Sequence, residues 1–175
     1  AKIHADKPLT EEEQQAWERV KMRVESICSL AYQKEVSVLI DAEETWIQGP
    51  IDELTLDMMN KYNRETAVVF YTFQMYCKNM LEKLHMLHQD AVEKGYRLGA
   101  KLVRGAYMEK EAERAEKMGY DNPIQPNKEA TDRDYNAAMK YCIDNIREIG
   151  LFSGTHNEKS NYLLTHYLEE AGMKS

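Results

Sequence analysis

Apolar positions along the chain fall into short compact blocks separated by longer periodic ones. The compact blocks are V-S-V-L-I-D at 36–41, A-V-V-F-Y-T-F at 67–73, A-K-L-V-R at 100–104 and L-F-S-G-T-H at 151–156. They are brief and rich in β-branched and aromatic residues, so they read as strands. The blocks between them carry apolar residues at three- and four-residue spacing, the mark of amphipathic helices. Thr10 followed by Glu13 forms a capping-box signature that opens a helix to about Gln33. That helix sets Trp17, Val20, Val24, Ile27 and Ala31 on one side. Gly49-Pro50 starts a second helix with Pro at its first position, carrying Leu54, Leu56, Met58 and Met59. A third runs from about Met75 to Lys94, with Gly95 and Gly99 flanking its exit. A charged helix follows the third strand and stops at Gly119. After the loop D-N-P-I-Q-P-N, Thr131 caps a helix through about Ile146, and Asn157 caps a last one ending at Gly172. The order α-β-α-β-α-β-α-α-β-α, with strands buried on both sides, predicts a parallel sheet in an α/β fold.

Each strand ends on polar side chains: Asp41, Gln74, Arg104 followed by Gly105, and Thr155-His156. Alternation places Ser37, Leu39 and Asp41 on one face, and Val68, Phe70, Thr72 and Gln74 on one face of their strand. Lys101 and Val103 lie opposite Leu102 and Arg104. Taken singly, each polar residue has an ordinary reading. Asp41 could cap a turn, Gln74 could satisfy a loop, Lys101 could snorkel from an edge, and His156 could be structural. Their recurrence at the C-terminal edge of successive strands favours a polar ligand site, because that edge is where parallel α/β proteins bind ligands. The stretch K-L-V-R-G-A-Y, Lys101–Tyr107, poses the question most sharply. Two cations at a strand end require an anionic partner. Residue types alone carry the reading as far as an α/β ligand-binding protein, most simply an enzyme.

Composition narrows the class. The 175 residues suffice for one domain with a real core, and 43% are hydrophobic. A net charge of −7 without any basic block argues against nucleic acid as a partner. The three cysteines, Cys28, Cys77 and Cys142, are far apart and form no C-x-x-C pair, which fits a reducing compartment better than a disulfide framework. Apolar runs are too short to span a membrane, and A-K-I-H-A-D-K-P lacks a signal core, so the expectation is a soluble interior protein. No dinucleotide fingerprint, phosphate-loop or nucleophile-elbow motif occurs. His85 and His88 share a helix face at i and i+3, but no nearby carboxylate spacing supports a metal, and none is expected. Glu109–Lys117 reads as a solvated helix face with i,i+4 pairs.

Several segments, in order, closely resemble the proline dehydrogenase family. They are V-L-I-D-A-E-E-T-W-I-Q, T-F-Q-M-Y, G-A-K-L-V-R-G-A-Y-M-E-K-E, E-K-M-G-Y-D-N-P-I-Q-P-N-K-E-A-T-D-R-D-Y-N and G-T-H-N-E. The likeness runs from about residue 10 to the end. It implies the parallel-strand part of a distorted (β/α)8, TIM-like barrel that binds FAD non-covalently. It implies oxidation of L-proline to 1-pyrroline-5-carboxylate, with electrons passed to a membrane quinone. By resemblance, Asp41 is the active-site aspartate that helps hold the arginines gripping the proline carboxylate, and Ala42 beside it approaches the flavin. Gln74 resembles the glutamine that hydrogen-bonds the flavin. Lys101, where some members have arginine, lies near its reactive nitrogen, with a single point contact in place of a planar fork. Val103, Arg104, Gly105 and Ala106 resemble the turn along the cofactor, and Tyr107 the aromatic lining the proline pocket. Thr155 and His156 resemble the pair reaching the nucleotide half of FAD.

A closed barrel needs eight strands, and four are legible here. The resemblance therefore implies that 1–175 is a single domain corresponding to strands two to five. The family's lysine-bearing strand, its late tyrosine and its adjacent arginine pair are expected outside this span. On that expectation the span alone is inactive toward proline and associates with itself to cover open strand edges. The location implied is the bacterial cytoplasm, at most peripheral to the inner membrane, or the mitochondrial matrix. Alternatives from other classes are a half-barrel assembly module and a barrel enzyme for a different phosphorylated ligand.

Overall fold

A computed structural model describes residues 7–173 of the chain. The elements follow the expected order: α1 (Glu11–Gln33), β1 (Val38–Ile40), α2 (Thr45–Tyr62), β2 (Val69–Gln74), α3 (Met80–Lys94), β3 (Leu98–Val103), α4 (Met108–Met118), α5 (Lys128–Asp144), β4 (Ile149–Gly154) and α6 (Glu158–Glu170). The strands form one four-stranded sheet in the order β1-β2-β3-β4, and every pairing is parallel. Sequence neighbours are therefore sheet neighbours, as in one sector of a (β/α) barrel, and the sheet does not close on itself.

Register sorts the two faces. Val69, Tyr71 and Phe73 of β2 align with Leu98, Ala100 and Leu102 of β3 and with Ile149 of β4 to form the helix-covered core. Met58, Met59 and Tyr62 of α2, Leu84 and Ala91 of α3, and Tyr135, Ala138, Met139 and Cys142 of α5 pack on that face. The opposite, concave face carries Thr72, Lys101 and Phe152 in one cross-strand row and Gln74, Val103 and Gly154 in the next. Phe152 remains 45% exposed there, an apolar ring without a cover. Asn63, fully buried, stitches the lower edge. Its amide donates to the carbonyls of Val69 (2.8 Å) and Arg97 (3.0 Å), and its Oδ1 accepts from the Val68 and Val69 amides. These contacts satisfy a polar group that would otherwise be costly inside a core.

Some boundaries differ from the sequence-based expectation, each for a physical reason. α2 begins at Thr45, so Pro50 lies inside it rather than at its first position. The start is drawn back by the Glu111 carboxylate, which accepts from both the backbone N–H and the hydroxyl of Thr45. α3 begins at Met80 and not near Met75, because the Met75 and Tyr76 amides donate to the Val103 and Arg104 carbonyls and extend the β2 side of the ladder. Asn127, not Thr131, caps α5: its side chain accepts from the Ala130 amide at 2.8 Å. On α1 the inward stripe runs through Val24 and the buried Cys28, while Ile27 points to solvent. The Thr10–Glu13 capping box and the Asn157 cap form as expected.

Candidate functional site

The C-terminal edge of the sheet opens into a cavity of about 600 Å³. Every residue singled out at that edge lines it: Asp41, Ala42, Gln74, Lys101, Val103, Arg104, Gly105, Ala106, Tyr107, Thr155 and His156. The sheet register explains the convergence, since Thr72 and Lys101 are cross-strand partners and Gln74 is level with Val103. Glu43, Lys128 and Asn157 also line the cavity and were missed in the sequence. Glu43 and Asn157 each adjoin a residue that was singled out. Lys128 was signalled by nothing but its place directly after the helix-capping Asn127.

The cations in K-L-V-R-G-A-Y find anions within the chain itself. Lys101 Nζ pairs with Asp41 Oδ1, whose carboxylate is 67% exposed at the mouth. Thr72 donates its hydroxyl to the Ile40 carbonyl at 2.8 Å and supports the strand end beneath that pair. Arg104 is held more completely. Its Nε donates to Asp132 (2.7 Å), one terminal nitrogen to Thr155 Oγ1 (2.6 Å) and the other to Ser160 Oγ (2.9 Å). Its guanidinium carbon also lies 4.2 Å from the centroid of the Tyr135 ring. A planar fork engaged on each nitrogen and stacked on an aromatic face is fixed in direction. Burial alone would raise the Asp132 carboxyl, but hydrogen bonds from Lys128 and Arg104 outweigh it and hold the group below its ordinary range.

Gly105 follows at φ +145°, and a Cβ there would sit 1.7 Å from the Tyr76 ring. Only glycine turns the chain here while the tyrosine stays in place. The turn delivers Tyr107, whose hydroxyl donates to Glu43 Oε2 at 2.7 Å. That acceptor, with burial and the carboxylate charge adding to it, raises the Tyr107 phenol above its usual range, so its proton stays on the oxygen.

The helix after β3 corrects one expectation. Glu111 does not lie on a solvated face: it is fully buried, and its carboxylate accepts from Thr45 N (2.6 Å) and Thr45 Oγ1 (2.7 Å). His88 is likewise engaged, its ring nitrogens 2.7 Å from the Tyr141 hydroxyl and 2.8 Å from Glu148. All three cysteines are buried and free. No helix among the described residues is long and apolar enough to cross a membrane.

The donor set suits an anionic ligand. Lys101, Arg104 and Lys128 supply cationic groups around one wall, the Gly105–Ala106 turn offers backbone, and α6 points its Asn157-capped N-terminus at the same space.

Comparison with known proteins places the chain among relatives. The family model described as Proline dehydrogenase matches residues 1–175. The chain is 34% identical over 171 residues to "Proline dehydrogenase 1, mitochondrial" of Drosophila melanogaster, covering 92% of this chain and 25% of the fly protein. It is 34% identical over 168 residues to the human protein of the same name, covering 94% and 28% respectively. The fold is similar to that of proline utilization A from Bdellovibrio bacteriovorus inactivated by N-propargylglycine. That match has a TM-score of 0.82 and 24% identity, and covers 92% of this chain and 17% of that one. The chain thus spans about a quarter of the length of these curated relatives.

Proposed function

This chain belongs to the proline dehydrogenase family, and on that premise we propose that its strand-end cavity is the FAD-facing part of an enzyme that oxidises L-proline to 1-pyrroline-5-carboxylate. The observation that carries the reading is the convergence of Asp41, Gln74, Lys101, Arg104, Tyr107 and His156 on one cavity with three cations along its wall. FAD, when bound, supplies the hydride acceptor, and a quinone is the proposed final acceptor of the electrons. Lys101 provides a cation, held by Asp41, where negative charge develops on reduction. Arg104, anchored by Asp132, Thr155 and Ser160, and Lys128 beside it, present positive charge to the phosphates. Gln74 offers a neutral amide that a ring edge can use for hydrogen bonding. Tyr107 keeps its proton and shapes the substrate side of the pocket.

The span 1–175 is read as one domain that carries the cofactor side of the site and associates with itself. An open sheet whose outer strands are each paired on one side supports that reading, and so does the uncovered ring of Phe152. The mitochondrial relatives and the bacterial structural neighbour make an interior compartment the natural place for it.

Titration of the purified chain with FAD tests the proposal. Saturable binding with a shifted visible absorbance band is expected, weakened at least about tenfold in Lys101→Ala. Proline-dependent dye reduction is expected to stay near background, because the concave face is open to water. Absence of saturable flavin binding overturns the cofactor assignment, and brisk proline turnover overturns the expected inactivity.

A further inference from the structure

α4 is a charged helix that buries only Glu111 and Ala115, yet its N-cap residue, Tyr107, lies on the wall of the cavity. One side of it meets the β1–α2 connection in a continuous seam. The Tyr107 hydroxyl donates to Glu43 at 2.7 Å, and Lys110 Nζ lies 3.4 Å from Glu44. Glu111 accepts twice from Thr45, and the Arg114 guanidinium stacks 4.4 Å from the centroid of a Trp46 ring. Positions 107, 110, 111 and 114 form a single helix face. The consecutive residues 43–46 run along it one by one. Both connections that flank the cavity are therefore joined to each other as well as to the sheet.

Glu111 is the centre of this seam and the only one of its side chains fully withdrawn from water. A buried carboxylate is costly unless both oxygens are used, and here both are, by the first residue of an eighteen-residue helix. We propose that Glu111 is a positioning residue for the cavity: by holding Thr45 it fixes the loop that carries Asp41, Ala42 and Glu43 against the turn that carries Tyr107. Its side chain is not among the residues that line the cavity. It acts by setting the distance between the two walls, and hydrogen-bond geometry rather than charge is what it supplies. The Glu43 amide, which donates to Gln48 Oε1 at 3.0 Å, belongs to the same ordered loop.

The test compares Glu111→Ala, Glu111→Gln and Thr45→Val in the full chain by amide hydrogen exchange, FAD titration and thermal unfolding. Glu111→Ala is expected to speed exchange at the Glu43 and Thr45 amides by about tenfold or more and to weaken FAD binding by a similar factor, with strand-core amides still protected. Gln can still accept from the Thr45 amide and donate to its hydroxyl, so Glu111→Gln is expected to restore both readouts to within about threefold of the parent. A merely structural carboxylate would not show that rescue confined to the loop and the binding constant. Unchanged exchange at Glu43 and Thr45 in Glu111→Ala overturns the proposal, as does an equal loss of binding in the Gln variant. Should Glu111→Ala not fold, Thr45→Val removes one donor with little change of shape. Faster loop exchange there upholds the inference, and parent-like exchange overturns it. The binding readout rests on the flavin reading above and the exchange readout does not, so failure of the parent to bind FAD counts against the cofactor alone.

Discussion

Arg104 illustrates how a strand-end cation is made tolerable at the residue scale. Each nitrogen position has an acceptor and the plane rests on Tyr135, so the charge is neither free to wander nor left without partners. The demand for an anion was legible in K-L-V-R-G-A-Y, but its identity was not. Asp41 is 60 positions from Lys101 and Asp132 is 28 from Arg104, and only the register and helix packing bring them together. The Asp132–Arg104 pair makes a pH-dependent contribution whose sign is fixed. The carboxyl is depressed in the folded protein, so its stabilisation is complete above the ordinary carboxylate range and is lost as pH falls through the depressed value. Asp132→Asn is expected to cost about 1–2 kcal/mol near neutral pH. Chemical denaturation at descending pH checks this: the gap between parent and variant closes below about pH 4. A gap independent of pH contradicts the assignment.

At the scale of elements, hydrophobic period and cap residues identified every helix and strand in order, and at α2 and α3 they erred where a partner from elsewhere set the boundary. α2 begins at Thr45 because Glu111 meets it there, and no local signal in T-W-I-Q-G-P encodes a carboxylate arriving from α4. The same remoteness hid Glu111 itself, since one buried glutamate among M-E-K-E-A-E-R-A-E-K has the same spacing as its solvated neighbours. The cap of α5 is a local matter and gives a local test. Asn127→Ala removes the acceptor for the Ala130 amide and is expected to cost about 1 kcal/mol. It should also loosen Lys128 at the cavity wall. Thr131→Val, at the position first read as the cap, should cost clearly less, because its hydroxyl reaches only the Asn127 carbonyl at 3.4 Å. A melting series of the two variants decides between the caps.

For the whole molecule, the α/β class and a cavity at the strand ends followed from alternation and polar strand ends, while the open form of the sheet follows from counting strands. A sheet paired on one side only at β1 and β4, with Phe152 bare on its concave face, is a surface that favours company. Light scattering at micromolar concentration is expected to give a mass above that of one chain, and a monodisperse single-chain mass contradicts it. The seam between α4 and the β1–α2 connection has one more consequence, for the order of events during synthesis. Thr45 leaves the ribosome 66 residues ahead of the carboxylate that caps it. The first turn of α2 therefore stays frayed while β2, α3 and β3 are already available to pair, and it closes only once α4 has been made. The cavity wall built from residues 41–46 therefore takes shape later than the neighbouring strands that precede α4.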